Sequence, residues 1–209
     1  MTHPISMPSL RRLPLYLRLL EQWRAAGRTQ VSCTHFADAL GLDPTQVRKD
    51  LAAAGASGRP RVGYDLKQLR DTLARFLGWD NPGEAFLVGS GPLGRALLAY
   101  EGFAARGLTI VAVFDRAPAA QERIGDKPVL PLSKLPDLVR RMHVRIGILA
   151  VPAAEAEAVA RTMAEAGIRG IWNFAPVRLD LGPRIVVEHI DLAQSLAVLR
   201  HRLAALEET

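Results

Sequence analysis

The sequence predicts an α/β protein in which a small helical N-terminal domain precedes a doubly wound parallel sheet and a C-terminal helix. From residue 81 onward, short apolar runs alternate with amphipathic segments, which is typical of repeated strand–helix units. Residues 1–80 instead have apolar side chains at helical spacings of three and four. The Pro- and Gly-containing segment "DNPGE" separates the two patterns. We therefore predict domains over 1–80 and 81–189, with a dimerisation helix over 190–209.

The composition, 49% hydrophobic and 23% charged, is typical of a globular protein. No apolar run approaches the roughly 18 residues that a membrane span needs, so no membrane partner is expected. Arg18 interrupts the apolar N-terminal stretch and no small-x-small cleavage site follows, so we expect a cytoplasmic location rather than a signal peptide. The one cysteine, Cys33, excludes an internal disulfide and a cysteine metal cluster, and no metal site is predicted.

The formal net charge of +6 is concentrated in the N-terminal domain. Residues 1–80 contain 12 Lys and Arg against 7 Asp and Glu, whereas residues 81–209 contain 15 against 14. A basic domain is expected to meet a polyanion such as nucleic acid. Because many protein surfaces are basic, this charge supports DNA binding only together with the shape that carries it.

Three helices are predicted to begin the N-terminal domain. The first spans 9–26, because its leucines recur at helical spacing. The segment "QVSCTHFADALG" predicts a brief extended piece and a short helix, which Gly41 ends. The next helix spans 43–54. Two short helices joined by a tight glycine turn are typical of a helix-turn-helix.

The helix over 43–54 has a well-marked start and two different faces. Asp43 is predicted to cap it, with Pro44 at the first helical position and Gln46 where a capping box places its second side chain. Its apolar residues face a core, and its other side chains are donors suited to phosphates and base edges. The predicted DNA-binding residues of this face are Thr45, Gln46, Arg48 and Lys49.

The segment "GASGRPRVGY" predicts a hairpin with a basic tip, that is, the wing of a winged helix. It adds three residues to the predicted DNA-binding set, namely Arg59, Arg61 and Tyr64. A further amphipathic helix, "LKQLRDTLARFLGW", completes the domain. The alternative interpretation is a small helical docking module with a solvated basic face.

A nucleotide site is predicted where the strand "EAFLV" meets the motif "GSGPLG" and a following helix. In that context Gly89 allows the tight turn, and Gly91 lets a pyrophosphate approach the backbone. Gly94 lets the helix pack closely on the strand, and the phosphates would face the helix N-terminus. The predicted cradle consists of Gly89, Ser90, Gly91, Pro92, Leu93 and Gly94.

The second strand, 108–115, ends in Asp115, where a carboxylate would accept hydrogen bonds from the adenosine ribose. That carboxylate favours NAD over NADP because it repels a 2′-phosphate, although the adjacent Arg116 leaves the choice open. The alternatives are another nucleotide, coenzyme A, or no ligand at this unit.

Two more strands are predicted over 144–151 and 168–174, with helices between them, as in a Rossmann-type doubly wound sheet. Ligands of such sheets lie beyond the carboxyl ends of the strands. This rule adds four residues to the predicted cofactor site, namely Val151, Pro152, Asn173 and Phe174.

The C-terminal helix has a leucine stripe with alternating steps of four and three, like a coiled-coil seam: Leu192, Leu196, Leu199, Leu203 and Leu206. Such a stripe either covers its own domain or is buried in a second copy. We expect the second arrangement and hence a homodimer.

Taken together, the motifs resemble the redox-sensing transcriptional repressor family Rex over nearly the whole chain. The matching stretches are "RRLPLYLRLLE", "QVRKDL", "GYDLKQL", "VGSGPLGRAL", "GILAVPA", "GIRGIWNFAPVRL" and "HIDLAQSL". The resemblance implies a winged helix, a Rossmann NAD(H) domain and a C-terminal helix swapped between two subunits. It further implies a homodimer that binds operator DNA and leaves it when NADH replaces NAD⁺.

The resemblance also implies a redox switch formed by Arg18, Tyr100 and Asp191. Asp191 near the nicotinamide could distinguish the cationic oxidised ring from the neutral reduced one, and its pairing with Arg18 would change with the ligand. A simpler interpretation of Asp191 is an N-cap, and of Tyr100 a packing residue. The wing departs from the family pattern, because Ala54 and Ser57 replace aromatics and Arg61 replaces a glycine.

We expect a repressor and not an enzyme, so no catalytic residue is assigned. The alternative is an NAD-dependent oxidoreductase, which needs a positioned acid or base at the nicotinamide. His189 lies at the predicted boundary between the sheet domain and the C-terminal helix. However, no Tyr-x-x-x-Lys pair occurs, and few residues remain for a substrate domain. A coenzyme A- or nucleotide-binding structural subunit is a second alternative, and it leaves "QVRKDL" unexplained.

Overall fold

The computed structural model describes residues 5–119 and 121–207, which divide into two compact units between Pro82 and Gly83. The side chains of Leu192 and Glu207 lie outside the described part of the chain. Each unit is taken by itself below. Along the described residues, no helix combines the length and the apolar character needed to cross a bilayer.

The first unit is a winged helix, as predicted. Its elements are α1 (Met7–Ala25), β1 (Gln30–Val31), α2 (Cys33–Leu40), α3 (Pro44–Ala53), β2 (Tyr64–Asp65) and α4 (Leu66–Phe76). The two short strands pair antiparallel and close the base of the wing. One buried cluster joins the helices, and its fully buried large side chains include Leu13, Tyr16, Leu20, Phe36, Leu51, Leu66 and Leu73.

Local signals set the ends of the two helix-turn-helix elements. Gly41 ends α2 in the left-handed region, at φ 64°, where glycine has no steric penalty. The Asp43 carboxylate then caps α3 by accepting hydrogen bonds from the backbone N–H groups of Thr45 (2.7 Å) and Gln46 (3.2 Å). The predicted capping box is not formed, because the Gln46 side chain donates to Asp50 instead of returning to the cap.

The second unit contains a seven-stranded sheet in the order β5-β6-β4-β3-β7-β8-β9. The strands are β3 (Gly83–Val88), β4 (Leu108–Asp115), β5 (Arg123–Ile124), β6 (Lys127–Pro131), β7 (Ile146–Leu149), β8 (Gly170–Asn173) and β9 (Val186–His189). All neighbours pair in parallel except β5 with β6. The helices are α5 (Pro92–Leu98), α6 (Leu135–Met142), α7 (Ala153–Ala166) and α8 (Leu192–Glu207).

This strand order confirms the predicted doubly wound sheet. Without the edge strand β5, the chain runs outward from β3 through β4 to β6 and then returns to β7 on the other side of β3. The direction of winding therefore reverses between β3 and β7, and a ligand crevice is expected beyond the carboxyl ends of these strands. Two apolar clusters cover the sheet, and in one of them Phe86 packs edge-on against Phe114.

The leucine stripe of α8 is uncovered in the single chain. The exposed fractions are 52% for Leu196, 63% for Leu199, 53% for Leu203 and 74% for Leu206, whereas leucine side chains are usually buried. Four apolar side chains at coiled-coil spacing make a continuous exposed seam. The fifth member of the predicted stripe, Leu192, falls outside the described side chains.

Candidate cofactor and nucleic-acid sites

The three glycines of "GSGPLG" differ in what surrounds them. A Cβ at Gly89 would lie 2.2 Å from the carbonyl oxygen of Ala150, and one at Gly94 would lie 2.0 Å from the carbonyl oxygen of Gly89. A Cβ at Gly91 meets nothing within 4 Å. Gly89 and Gly94 are thus required by the packing of the protein itself. Gly91 faces open space at the start of α5, and this is where a dinucleotide cradle admits the pyrophosphate.

Asp115, the last residue of β4, is held toward the glycine loop. Its Oδ2 accepts hydrogen bonds from the backbone N–H (2.8 Å) and the hydroxyl (2.9 Å) of Ser90. Burial would raise the pKa of Asp115, but these hydrogen bonds, chiefly from Ser90, outweigh it and lower the pKa. An ionised carboxylate with a fixed orientation suits a ribose diol, since both Ser90 hydrogen bonds go to Oδ2, whereas the N–H of Ala117 contacts Oδ1 at the longer distance of 3.3 Å.

Arg116 lies beside this carboxylate but is engaged elsewhere. Its Nη2 is 3.0 Å from Oε1 of Glu155 in the first turn of α7. A 2′-phosphate near Asp115 would therefore meet two carboxylates, one of which already pairs the nearest guanidinium. The local charges favour a ligand without that phosphate.

The other predicted cofactor residues lie where the central strands end. Val151 and Pro152 follow β7 as half-buried and exposed residues, respectively. Asn173 ends β8, and its side chain is 0% exposed. Its amide donates to the carbonyl of Val177 (2.8 Å) and contacts His189 Nδ1 (3.0 Å), and its carbonyl accepts the N–H of Ala175 (2.9 Å).

The Asn173 side chain is thus fully used in shaping the loop that carries Phe174. The backbone N–H of Phe174 donates to the carbonyl of Leu149, joining the ends of β8 and β7 (2.9 Å). The half-buried Phe174 ring packs on Trp172, with their centroids 5.1 Å apart. The sequence motif predicted Asn173 at the rim, and the structure gives its side chain a supporting position there.

Most of the α3 residues predicted to contact DNA lie on the exposed side of the helix. Thr45, Arg48 and Lys49 are exposed, whereas Val47 and Leu51 are 0% exposed and anchor the helix. Gln46 is half-buried at the rim of this face. The outer face of α3 therefore combines two cations with hydroxyl and amide groups, the chemistry that contacts phosphates and base edges.

Beneath this face lies a buried carboxylate that was not predicted from the sequence. Asp50 is 0% exposed. It accepts hydrogen bonds from Arg12 Nε (2.6 Å) and Nη2 (2.9 Å), from the Tyr16 hydroxyl (2.7 Å) and from Gln46 Nε2 (2.7 Å). The signal was available in the spacing, because Asp50 falls between Val47 and Leu51 on the inward side of α3.

The network fixes the charge of this buried carboxyl. Burial by itself would raise the pKa of Asp50, but the hydrogen bonds from Arg12, Tyr16 and other donors lower it to about 2. The same contacts raise the pKa of Arg12, chiefly through its hydrogen bond to Asp50. The pKa of the Tyr16 hydroxyl also rises, first through burial and then through Asp50. Asp50 is therefore an ion-paired carboxylate at neutral pH.

The wing is a tight turn between Arg59 and Gly63, which pair as an isolated antiparallel bridge. Arg61 at its tip is exposed and has φ 62°, in the left-handed region. A non-glycine residue there costs about 1 kcal/mol or more. The replacement of the usual glycine by arginine thus leaves the turn intact and places a cation at its tip.

Tyr64, predicted to contact DNA, lies instead in the core of the first unit with 9% of its surface exposed. A Cβ added at Gly58 would lie 2.9 Å from its ring, so the ring supports the wing from below. Burial, followed by the neighbouring Cys33 thiol, raises the pKa of Tyr64 to about 12. Its burial, a consequence of the strand pairing at the wing base, excludes Tyr64 from the exposed surface.

The three predicted switch residues lie on exposed surface. Arg18 is an exposed residue of α1. Tyr100 is 55% exposed and packs edge-on against Phe103 at a centroid distance of 4.9 Å. Asp191 caps α8, its Oδ1 accepting from the N–H groups of Ala193 (2.9 Å) and Gln194 (3.3 Å). The N-cap interpretation of Asp191 is confirmed, and the carboxylate remains exposed for a second role.

Comparison with known proteins gives matches for both units. The family described as "Putative DNA-binding protein N-terminus" matches residues 4–52, and the family described as "CoA binding domain" matches residues 80–177. The redox-sensing transcriptional repressor Rex of Carboxydothermus hydrogenoformans is 43% identical over 192 residues, covering 91% of this chain and 92% of that protein.

Solved structures match over nearly the full length. The crystal structure of RSP in complex with β-NAD⁺ and operator DNA has a TM-score of 0.91 at 31% identity, covering 98% of this chain and 95% of that one. RSP in complex with β-NADH has a TM-score of 0.89 at 30% identity, with coverages of 98% and 97%. These similarities extend over both the winged helix and the parallel sheet.

Proposed function

The chain belongs to the Rex family of redox-sensing transcriptional repressors, and from this premise we propose that it binds operator DNA and releases it when NADH binds. The observation that carries the proposal is the presence, in one chain, of a basic helix-turn-helix face and an open glycine cradle with a ribose carboxylate. Either feature alone is common in proteins. Their presence in one chain indicates that binding of a nucleotide regulates binding to DNA.

The residues of the sheet domain fit a dinucleotide. Gly91 leaves space for the pyrophosphate at the α5 N-terminus, and Asp115 is oriented to accept from the ribose. The pairing of Arg116 with Glu155 leaves a negative balance near that ribose, which favours NAD(H) over NADP(H). The "CoA binding domain" description covers the same strand–glycine–helix unit, but Asp115 would repel a phosphate on the ribose, such as the 3′-phosphate of coenzyme A.

DNA would be contacted by the exposed face of α3 and by the wing. Arg48 and Lys49 supply phosphate and groove contacts, Thr45 and Gln46 contact or position base edges, and the wing adds Arg59 and Arg61. Two copies are needed for a palindromic site, and the exposed leucine seam of α8 supplies a surface for a homodimer. We propose that α8 is exchanged between the subunits and covers this seam.

The bound coenzyme supplies a nicotinamide ring that is cationic when oxidised and neutral when reduced. Asp191 would distinguish the two by charge, and its pairing with Arg18 would transmit the difference to the winged helices. Tyr100 would be the third member of this switch. A bias of roughly 100-fold between two arrangements of the dimer amounts to about 2.7 kcal/mol, a modest requirement for one charged contact.

Replacing Asp191 by Asn should leave operator affinity nearly unchanged but weaken the NADH response at least tenfold. Asparagine keeps the N-cap of α8, since it caps as well as aspartate, and removes only the charge. Operator binding titrated with NADH and with NAD⁺ measures the effect. An undiminished response in this variant would remove Asp191 from the switch.

The oxidoreductase alternative predicts turnover of NADH. We propose that the chain binds NADH without consuming it, and that it acts in the cytoplasm, where its DNA and its coenzyme meet. The relatives' designation as repressors supports this proposal. Absorbance at the reduced-nicotinamide band, with candidate carbonyl compounds present, would detect a dehydrogenase.

The proposed function as a whole is tested with an operator fragment that the protein selects from random duplex DNA. NADH is titrated against the labelled complex, and NAD⁺ and NADPH are titrated in parallel. We expect release with NADH, retention with NAD⁺, and a much weaker effect of NADPH. Failure to select any sequence, or equal release by all three nucleotides, would contradict the proposal.

Introducing Glu at both Leu199 and Leu203 should convert the homodimer to a monomer at micromolar concentration. Two charges in the middle of the apolar seam cannot be buried against a second seam without a large desolvation cost. Sedimentation equilibrium measures the mass. The control His201→Glu lies on the opposite face of α8 and should remain dimeric. If the double variant stays dimeric, α8 is not the interface.

Replacing Arg61 by Asn should reduce operator affinity and lower the slope of log K against log salt by about 0.9 for each phosphate that the variant no longer neutralises. Asparagine tolerates the left-handed conformation of the wing tip and removes the charge. Arg61→Gly should reduce the affinity and the slope by the same amounts. It should also remove about 1 kcal/mol of backbone strain from the wing, because glycine adopts the left-handed conformation without a steric penalty. The exposed α1 residue Arg24, changed to Gln, serves as a control. A slope equal to that of the wild type places Arg61 away from the DNA.

A further inference from the structure

The Asp50 network includes a donor from the face of α3 that is proposed to bind DNA. Arg12 and Tyr16 reach Asp50 from α1, whereas Gln46 reaches it from the preceding turn of α3. Gln46 is half-buried, and its inner end is the amide nitrogen, 2.7 Å from Asp50 Oδ1. The buried carboxylate is therefore in direct contact with a residue at the rim of the exposed face.

Chemistry decides which end of the Gln46 amide turns inward. Asp50 is ionised, with a pKa lowered to about 2, and an ionised carboxylate only accepts hydrogen bonds. The NH₂ group of Gln46 must therefore face Asp50, because the reverse orientation would place a carbonyl oxygen against a carboxylate oxygen. The assignment of nitrogen and oxygen follows from the network rather than from geometry alone.

With its nitrogen fixed, Gln46 presents its carbonyl oxygen away from Asp50. In the major groove, adenine and cytosine offer exocyclic amino groups as donors, whereas guanine and thymine offer acceptors at the corresponding edge. A carbonyl oxygen accepts a hydrogen bond from the amino group of adenine or cytosine, and it is repelled by the acceptor oxygen of guanine or thymine. An unrestrained glutamine could rotate by half a turn about its last bond and accommodate either.

We propose that Asp50 acts as a positioning residue that fixes the Gln46 amide, so that Gln46 selects a base with a major-groove amino group, adenine or cytosine, at one position of each operator half-site. This inference rests on the proposed function and specifies how its DNA-binding site obtains part of its sequence preference. Arg12 and Tyr16 contribute by keeping Asp50 ionised and in place.

The competing view is that the network only stabilises the fold of the winged helix. In that case, removal of a partner weakens binding to every sequence equally. A positioning role instead changes the pattern of preference among bases at a single position. The two views are separated by the base dependence and not by the overall affinity.

The experiment uses the full-length protein and the operator fragment that it selects. Every base pair of one half-site is replaced in turn by the other three. Affinities are measured for the wild type, for Gln46→Met, for Asp50→Asn and for a control, Gln22→Met, at an exposed position of α1. Gln46→Met keeps the length of the side chain and leaves Asp50 with Arg12 and Tyr16, so it tests the inference even if Asp50→Asn folds poorly.

For the wild type and the control, we expect one operator position at which fragments with adenine or cytosine are bound about tenfold more tightly, or more, than fragments with guanine or thymine. Gln46→Met should remove this difference at that position and leave the other positions unchanged. Asp50→Asn should reduce it, because an amide at residue 50 can face either end of Gln46.

Three results would overturn the inference. If Gln46→Met keeps the wild-type pattern, Gln46 does not contact a base, while operator binding itself and the proposed function stand. If Asp50→Asn folds and retains the full preference, Asp50 does not orient Gln46. If the wild type binds no operator at all, the proposed function fails, and the inference fails with it.

Discussion

Replacing Gly91 by Ala is expected to weaken NADH binding by about 100-fold or more, equivalent to about 2.7 kcal/mol, without changing the fold. A methyl group at Gly91 meets no protein atom within 4 Å, and the residue has an ordinary φ of −62°. The protein can therefore accept the side chain at almost no cost. The new methyl group would instead fill the space through which, on the proposed function, the pyrophosphate approaches the backbone.

Calorimetric titration with NADH measures this effect, and thermal unfolding confirms that the fold is retained. Gly83→Ala is the matched control, because a Cβ there makes only ordinary contacts, the nearest at 3.7 Å, and it should bind NADH normally. Gly94→Ala should behave differently from both, since its Cβ would collide with the carbonyl of Gly89 and destabilise the domain. Wild-type NADH affinity in Gly91→Ala would place the coenzyme elsewhere.

Replacing Arg12 by Met should lower the free energy of unfolding of the winged helix by about 3 kcal/mol at neutral pH. Removing one partner of a buried ion pair leaves the other as an uncompensated charge. Arg12 supplies two of the hydrogen bonds to Asp50 and its only formal countercharge among the donors. Hydrogen exchange of the α3 amides in urea measures the decrease. Arg24→Met, an exposed change, should remain within about 0.5 kcal/mol of the wild type.

The pH dependence distinguishes this cause from a simple change in packing. In the wild type, the pKa of Asp50 is about 2 when folded and 3.8 in its ordinary state. Its contribution to stability is therefore fully present above about pH 4 and is lost as the pH falls toward 2. In Arg12→Met, burial should raise the pKa of Asp50, so acid should relieve the penalty and the difference between the two proteins should narrow. A difference independent of pH would indicate that packing dominates.

The features predicted correctly from the sequence are those with a local signal. The helix-turn-helix follows from Gly41 and the Asp43 cap, and the strand–glycine–helix unit follows from glycines placed between an apolar run and an amphipathic one. The two edge strands, β5 and β9, and the neighbouring β6 were not predicted. β5 has two residues, β6 contains two prolines, and β9 is short and only half-buried, so none has a clear apolar pattern.

Side-chain roles were harder to predict than elements, because they depend on partners distant in sequence. Asp50 is 38 residues from Arg12, and only the packing of α1 on α3 shows that its charge is buried. Tyr64 follows a basic hairpin, but strand pairing at the wing base turns its ring inward. The Gln46 amide fits a capping box by sequence, yet the stronger acceptor, the Asp50 carboxylate, takes its donor.

If the exposed leucine seam of α8 is the dimer interface, as proposed, the response to NADH also depends on the concentration of the protein in the cell. On the proposed assembly, α8 finds an apolar partner only when two chains meet, so the population able to grip a palindromic site follows mass action. When the protein is scarce, dissociation would compete with repression whatever the redox state. The expression level would then determine how much dimer is available to bind the operator, and the NADH/NAD⁺ ratio would determine what fraction of that dimer binds it.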